Sequence, residues 1–420
     1  MLFLRLVIES FRFALTALRL NLLRTALSLL GVTVGIFSII AVLTMVDSLE
    51  KNIKDSLAFL GSGVIYVDKW PFTADAKGEY RWWDFWRRPN PSYSEFKLME
   101  ANLNNDTGIS IFASRGNSIA KYENNSVGDV ELIGGSMQYK ELFELDITVG
   151  RYFTMTEMEG GRNVAIIGIN IAEKLFPGSP NPIGKTFKIR NQKFVVIGVL
   201  KKEGESFIGF QSKDDHCIIP YNAFRKMYST GTGRWNETGS TIGLKGKEYD
   251  VGLVELENEL TGLLRRIRGL KPKEPDNFSL NRPEAISNVL DSIFGTLNMA
   301  GWFIGIFAML IGGFGIANIM FVSVKERTNQ IGIQKSLGAK NYFILFQFLF
   351  EAVFLSIFGG LGGLFLVWLI TFIPMGDLEV ILSFKNVVLG VGVSGTIGII
   401  SGIVPAALGA RLDPVMAIRS

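Results

Sequence analysis

The side chains able to do chemistry are few. His216 and Cys217 are the only histidine and the only cysteine, and they are adjacent in Asp214-Asp215-His216-Cys217-Ile218-Ile219. A zinc site of familiar type and a Ser–His–Asp triad would both have to use His216. A single cysteine excludes an internal disulfide and a thiolate cluster within one chain. At the entrance to an apolar run, the pair reads as an ordinary strand position. The carboxylates between Asp47 and Asp291 are spread as on a solvated surface, with no pair set for acid–base work and no nucleophile–base arrangement. No glycine-rich phosphate loop ending in Gly-Lys-Ser/Thr is expected. Gly312-Gly313-Phe314-Gly315 lies in an uncharged apolar run and reads as helix packing. The expectation is therefore no catalytic residue, no metal and no cofactor bound by this chain. If ATP drives the protein, another chain binds it.

The stretch that does carry a signal is Asn318–Lys340, NIMFVSVKERTNQIGIQKSLGAK. It begins as the end of an apolar run and turns into a segment bearing Lys325, Glu326, Arg327, Lys335 and Lys340. Ile331, Ile333 and Leu337 give it an apolar ridge. Gly338 follows, and a second apolar run opens at Tyr342. A short basic amphipathic piece between two membrane-length runs reads as a helix on the cytoplasmic side that joins two spans.

The elements that must position this joint follow from charge. The chain has 420 residues, 43 Lys and Arg, 39 Asp and Glu, and a net charge of +4, too small to imply nucleic acid. Residues 1–24 carry Arg5, Arg12, Arg19 and Arg24 at near-heptad spacing among Leu and Phe, the pattern of an interfacial amphipathic helix in contact with membrane lipid. The first span is placed at 25–47, since Thr25–Val46 carries no charge over about 22 residues, enough to cross about 30 Å of hydrocarbon. Residues 48–288 have soluble character. Strands are expected at Val64–Asp68, Asn163–Gly168, Thr186–Arg190, Phe194–Leu200 and Cys217–Pro220, and helices near Ser92–Leu103, Ile171–Phe176 and Tyr249–Arg268. This predicts an α+β domain in two lobes.

The second span, 289–323, belongs to an uncharged run from Ser292 to Val324. At 1.5 Å per residue that run is about 50 Å long, so it should project from the membrane as a stalk or else tilt or break near Gly312-Gly313. The joint is 324–340, the third span 342–373, a short outer loop 374–385, the fourth span 386–410 and a basic tail 411–420. The fold class expected is an α-helical membrane protein with four transmembrane helices and a large α+β periplasmic domain inserted between the first and second. Lys325, Arg327, Lys335 and Lys340 in the joint and Arg411 and Arg419 in the tail predict that both termini lie inside, in the cytoplasm.

Each span holds a glycine pair four apart: Gly31 and Gly35, Gly301 and Gly305, Gly359 and Gly363, Gly398 and Gly402. Such pairs let helices approach closely, within a chain or at a dimer seam. Glu351 is the one acid well inside an apolar run. Its place near the inner surface suggests a structural role, reaching headgroups or a basic residue of the joint, and no second intramembrane group forms a proton relay with it. Tyr80-Arg81-Trp82-Trp83-Asp84-Phe85-Trp86-Arg87-Arg88 reads as a surface loop folded onto its own domain, or else as a membrane-interface foot or partner contact.

Four stretches resemble the MacB/FtsX-type permeases of ABC transporters, the mechanotransmission (type VII) group: Ala17–Leu49, Phe176–Ile189, the joint with the following EAVFLSIFGGLGG, and GIVPAALGARLDPVMAIRS at the C-terminus. The resemblance implies that Val324–Ala339 is a coupling helix docking on a cytoplasmic ATPase, with Glu326, Arg327, Gln330, Ile331, Lys335 and Gly338 on it. Where Gln334 and Asn329 stand, the family usually has Arg or Lys. Because the chain begins almost at the interfacial helix, the ATPase is expected as a separate subunit holding ATP and Mg. The resemblance also implies a dimer, with a second copy or a homologue, and a periplasmic adaptor or outer-membrane partner. Export or extraction of a peptide, drug or lipoprotein is the leading expectation. A non-transporting regulator that relays ATPase motion to a cell-wall hydrolase, and a membrane-anchored sensor, are the alternatives.

Overall fold

The computed structural model describes residues 22–57, 61, 63–74, 79–178, 181–204, 212–231, 237–375 and 378–419. The interfacial segment expected at 1–24 lies outside them apart from residues 22–24. Two compact units are present: residues 53–291, and a helical unit formed by the chain before and after them.

The helical unit opens with α1 (Leu22–Leu57). In the intervening domain the elements are β1 (Val64–Asp68), α2 (Trp82–Phe85), α3 (Tyr93–Asn102), β2 (Asp106–Tyr122), β3 (Asn125–Gly135), α4 (Tyr139–Leu142), β4 (Ile147–Gly150), α5 (Met155–Gly160), β5 (Val164–Ile167) and α6 (Ile169–Leu175). They continue with β6 (Thr186–Ile189), β7 (Gln192–Leu200), β8 (His216–Pro220), α7 (Tyr221–Met227), β9 (Thr241–Gly246), α8 (Val254–Ile267) and β10 (Ser279–Asn281). The chain then returns through α9 (Pro283–Glu326), α10 (Thr328–Ser336), α11 (Asn341–Ile370), α12 (Phe384–Ala410) and α13 (Pro414–Arg419).

Among the described residues the strands form one mixed sheet, ordered β10-β1-β9-β2-β3-β8-β5-β7-β4, with β6 paired to β2 and β7. Two lobes were expected; one continuous sheet with a core on each face is found. The alternation along single strands is the reason. Ile65 and Val67 enter one core while Val64 and Tyr66 enter the other, and Cys217 and Ile219 part from Ile218 in the same way. A sheet covered on both faces needs apolar residues at successive positions. The strand next to α1 in sequence and the strand before α9 are neighbours: β1 and β10 pair antiparallel, with Tyr66 opposite Asn281. Both connections to the helical unit thus enter at one edge of the sheet.

Local capping fixes several helix starts. Ser92 and Glu95 form a reciprocal capping box at α3, and Thr154 and Glu157 form another at α5. Glu95 is also gripped by Arg268, whose Nε donates to Oε1 at 2.8 Å, tying α3 to the end of α8.

Among the described residues four helices are long and apolar enough to cross a membrane, lying within 29–57, 283–326, 341–370 and 384–410. Two run past the expected spans. The first helix continues to Leu57, and α9 starts at Pro283, with proline at the first helical position, where its missing N–H costs nothing. Lys54 and Asp291 join these extensions at 2.5 Å. No break occurs at Gly312-Gly313; α9 is one helix of 44 residues, about 66 Å long.

Candidate functional site

The joint between α9 and α11 is not one helix from Val324 to Ala339. Residue Arg327 leaves helical geometry, with φ −101° and ψ 14°, and separates α9 from α10. At its other end α10 closes on a Schellman motif: the Gly338 N–H donates to Lys335 O and the Ala339 N–H to Gln334 O, both at 3.0 Å. Gly338 has φ +97°, which a side chain would strain.

The six residues expected on the coupling helix divide into two sets. Arg327, Ile331 and Lys335 turn into the helical unit. Nη1 of Arg327 donates to Glu351 Oε2 at 3.1 Å. Ile331 is buried in the core of the four long helices. Lys335 Nζ donates to the carbonyls of Ala410 and Leu412, both at 2.7 Å, closing the C-terminal end of α12, where a cation is favoured. Glu326, Gln330 and Gly338 are exposed. Ile333 and Leu337, 50 % and 85 % exposed, continue the outward ridge.

Helix α13 packs beside α10 and adds Val415 and Met416, 66 % and 71 % exposed. Sequence reading left this tail as a short basic stretch. Its signal was Asp413-Pro414: Asp413 caps α13 by accepting the Val415 N–H at 2.8 Å, and proline takes the first position. The arrangement offers no catalysis. It offers a raised contact surface of mixed apolar and polar character, held from behind by an ion pair and a lysine clamp.

The eight paired glycines all meet helices of the same chain. A Cβ on Gly35 would lie 3.0 Å from Ala308 O, and one on Gly31 would lie 3.9 Å from Gly312 Cα, both on α9. From α9, Gly301 and Gly305 face Val42 and Ile39. On α11, Gly359 and Gly363 face Val32 and Thr33. Gly398 and Gly402 face Val353 and Ala352 across α11 and α12. Thr33 Oγ1 donates to Gly359 O at 3.0 Å, and Ser356 Oγ to Ser394 O, using the short distances this closeness gives.

His216 and Cys217 sit in β8. His216 Nε2 is 3.3 Å from Glu131 Oε2, which holds the Glu131 carboxyl below its usual range. Cys217 is fully buried and its thiol is pushed up by burial. Gly184-Lys185-Thr186 opens strand β6, not a helix N-terminus, and so does not have the setting of a phosphate loop. The Trp-rich segment is anchored from one side. Arg88 stacks on Phe85 at 4.6 Å and donates to Phe278 O and Ser279 Oγ, while Trp82, Trp83 and Trp86 face outward.

Comparison with known proteins decides the family. The model of the MacB-like periplasmic core domain matches residues 25–251, and that of the FtsX-like permease C-terminal domain matches 302–414. This chain belongs to the MacB/FtsX-type permeases of ABC transporters. The first family domain covers α1 and most of the sheet domain, and the second covers most of α9 through the start of α13. Similar relatives include a pyoverdine export ATP-binding/permease protein, PvdT, of Pseudomonas fluorescens, 28 % identical over 420 residues, covering 99 % of this chain and 60 % of that protein. A macrolide export ATP-binding/permease protein, MacB, of Neisseria meningitidis is 28 % identical over 414 residues, covering 98 % of this chain and 61 % of the relative. The chain thus spans about 60 % of the length of the curated relatives it matches. The crystal structure of the periplasmic region of MacB from Actinobacillus actinomycetemcomitans aligns with 57 % of this chain and 98 % of that one, at 18 % identity and a TM-score of 0.43.

Proposed function

We propose that this chain is a permease subunit that converts ATP binding and hydrolysis on a separate cytoplasmic ATPase into movement of its outer domain. Export or extraction of a substrate from the periplasmic side is the reading favoured by the names of its relatives.

The observation that carries this reading is the exposed ridge Glu326, Gln330, Ile333 and Leu337, set at the turn between two span-length helices and backed by Arg327, Ile331 and Lys335. Apolar side chains left in the open beside polar ones are what an interface helix needs. The ATPase partner would hold ATP and Mg, and a symmetric ATPase pair calls for two permease copies. The basic residues of the joint and tail favour a cytoplasmic location for this end, and hence a periplasmic domain in a bacterial inner membrane.

The test is to recover a tagged full-length chain from its own cells with any bound ATPase, and to repeat this with Ile333→Ser combined with Leu337→Ser. Loss of the ATPase from the double variant, with the chain itself recovered in normal yield, is expected. Equal ATPase recovery would remove the ridge from this role. An ATPase that binds and cycles while no transport is seen in vesicles would turn the reading to a regulator of a periplasmic partner.

A further inference from the structure

We propose that the cleft between the bulge of β2 and the β6–β7 turn binds a small polyanion, a ligand carrying clustered phosphate or carboxylate groups. The cleft has a volume of about 660 Å³, on the scale of a small-molecule site and not of a flat protein contact. Arg115 and Lys121 reach it from β2, Lys188 from β6 and Arg190 from the turn, and Tyr228 lines it after α7. No Asp or Glu lines it among the described residues.

Two features mark these cations as more than solvated surface. Lys121 and Lys188 stand directly opposite in antiparallel register. Like charges so placed, with Cβ atoms about 5 Å apart, destabilise a sheet. The fold therefore carries a repulsion that a bound anion would relieve. In addition, two guanidinium groups gather on the Tyr228 ring, with Arg190 Cζ at 4.9 Å and Arg115 Cζ at 5.7 Å from its centroid. A cation–π contact of this kind holds an arginine by its face and leaves its in-plane N–H groups able to hydrogen-bond. Arginine presents a planar fork that matches phosphate and carboxylate. Of the nearby carboxylates, Glu131 is engaged by His216, whose Nε2 lies 3.3 Å from its Oε2. The register shifts of β2 between Arg115 and Ser118, and between Ser118 and Ala120, mark the bulge that interrupts the ladder here.

The inference does not depend on ATPase coupling, and its test uses neither nucleotide nor ATPase. The full chain in neutral detergent is titrated calorimetrically with inorganic pyrophosphate, with citrate, and with micelles doped with phosphatidic acid or, as control, phosphatidylcholine. Saturable binding of pyrophosphate or citrate would mark a soluble polyanion as ligand. Saturable binding of phosphatidic acid alone would mark a lipid headgroup. In either case Lys121→Gln combined with Lys188→Gln should weaken binding at least about tenfold, the loss of one charge-assisted hydrogen bond. Lys174→Gln, on α6 outside the cleft, should leave it unchanged. Because the double variant removes a repulsion, its melting temperature without ligand should be no lower than that of the parent, which checks that it is folded. Absence of binding by all the anionic probes, or equal weakening by Lys174→Gln, would overturn the assignment.

Discussion

Arg327 and Glu351 meet across the turn that joins α9 to α11, Nη1 to Oε2 at 3.1 Å, with side chains 15 % and 1 % exposed. The second carboxylate oxygen of Glu351, Oε1, is buried and accepts no hydrogen bond of normal geometry among the described residues. An ion pair so enclosed adds little net stability, but removing one member leaves a charge stranded in a poor solvent. Arg327→Ala and Glu351→Ala should each destabilise the chain strongly, and the double variant should lose less than the two losses added. A coupling energy of about 1–3 kcal/mol is expected in a double-mutant cycle followed by thermal unfolding in detergent. Strictly additive losses would mean that the contact is not an energetic link.

Gly338 supplies the left-handed residue of the Schellman motif that ends α10. Gly338→Ala should cost about 1–2 kcal/mol, since a Cβ strains that backbone although its surroundings are open. Thermal unfolding would measure the loss. Gly338→Asn, which tolerates this geometry better, should cost less.

Glycines of one helix should separate by what they face. A Cβ on Gly398 would stand 2.7 Å from Val353 Cα, a backbone atom that cannot swing away, whereas Gly392 has nothing within 4 Å. Gly398→Leu should force α11 and α12 apart and lower the unfolding midpoint, by overpacking worth about 1–3 kcal/mol or more. Gly392→Leu should leave it nearly unchanged. Equal effects would show that the close approach is not limiting.

In the outer domain, Arg151 donates to both oxygens of Glu157 at 2.8 and 2.7 Å and pulls its carboxyl down to about 2. A depressed carboxyl stabilises the fold above its unfolded pKa, and that contribution is lost as pH falls from the ordinary carboxylate range towards 2. In Arg151→Ala, Glu157 should titrate at higher pH, visible by carboxyl carbon NMR, and acid unfolding should begin earlier. An unmoved titration would assign the depression to the Thr154 cap instead.

Much of the architecture was legible because membrane spans are charge-free and long, and buried strands are short apolar runs. Strand β8 lies where Cys217–Pro220 pointed, and α3 begins after its cap Ser92, as its pattern indicated. The β2–β3 hairpin was not legible. Its alternation is broken by Gly108, Gly116 and two register shifts, and its turn relies on Glu123 in a left-handed conformation, a residue seldom read as a turn former. At the joint, the residue types were readable but their directions were not. That Arg327, Ile331 and Lys335 face inward while Glu326 and Gln330 face outward depends on the helix break and on Glu351, Ala410 and Leu412, all distant in sequence.

The pairing of β1 with β10 has a mechanical consequence. The chain enters β1 and leaves β10 at the same end of two antiparallel neighbours. A pull that separates α9 from α1 therefore acts at that shared end and opens the rungs between Tyr66–Asp68 and Ser279–Asn281 one by one, beginning at Tyr66 and Asn281, instead of loading them together in shear. Such a seam yields at far lower force than one of equal length loaded in shear, so β10 would peel from β1 before a pull of this kind reached the rest of the sheet.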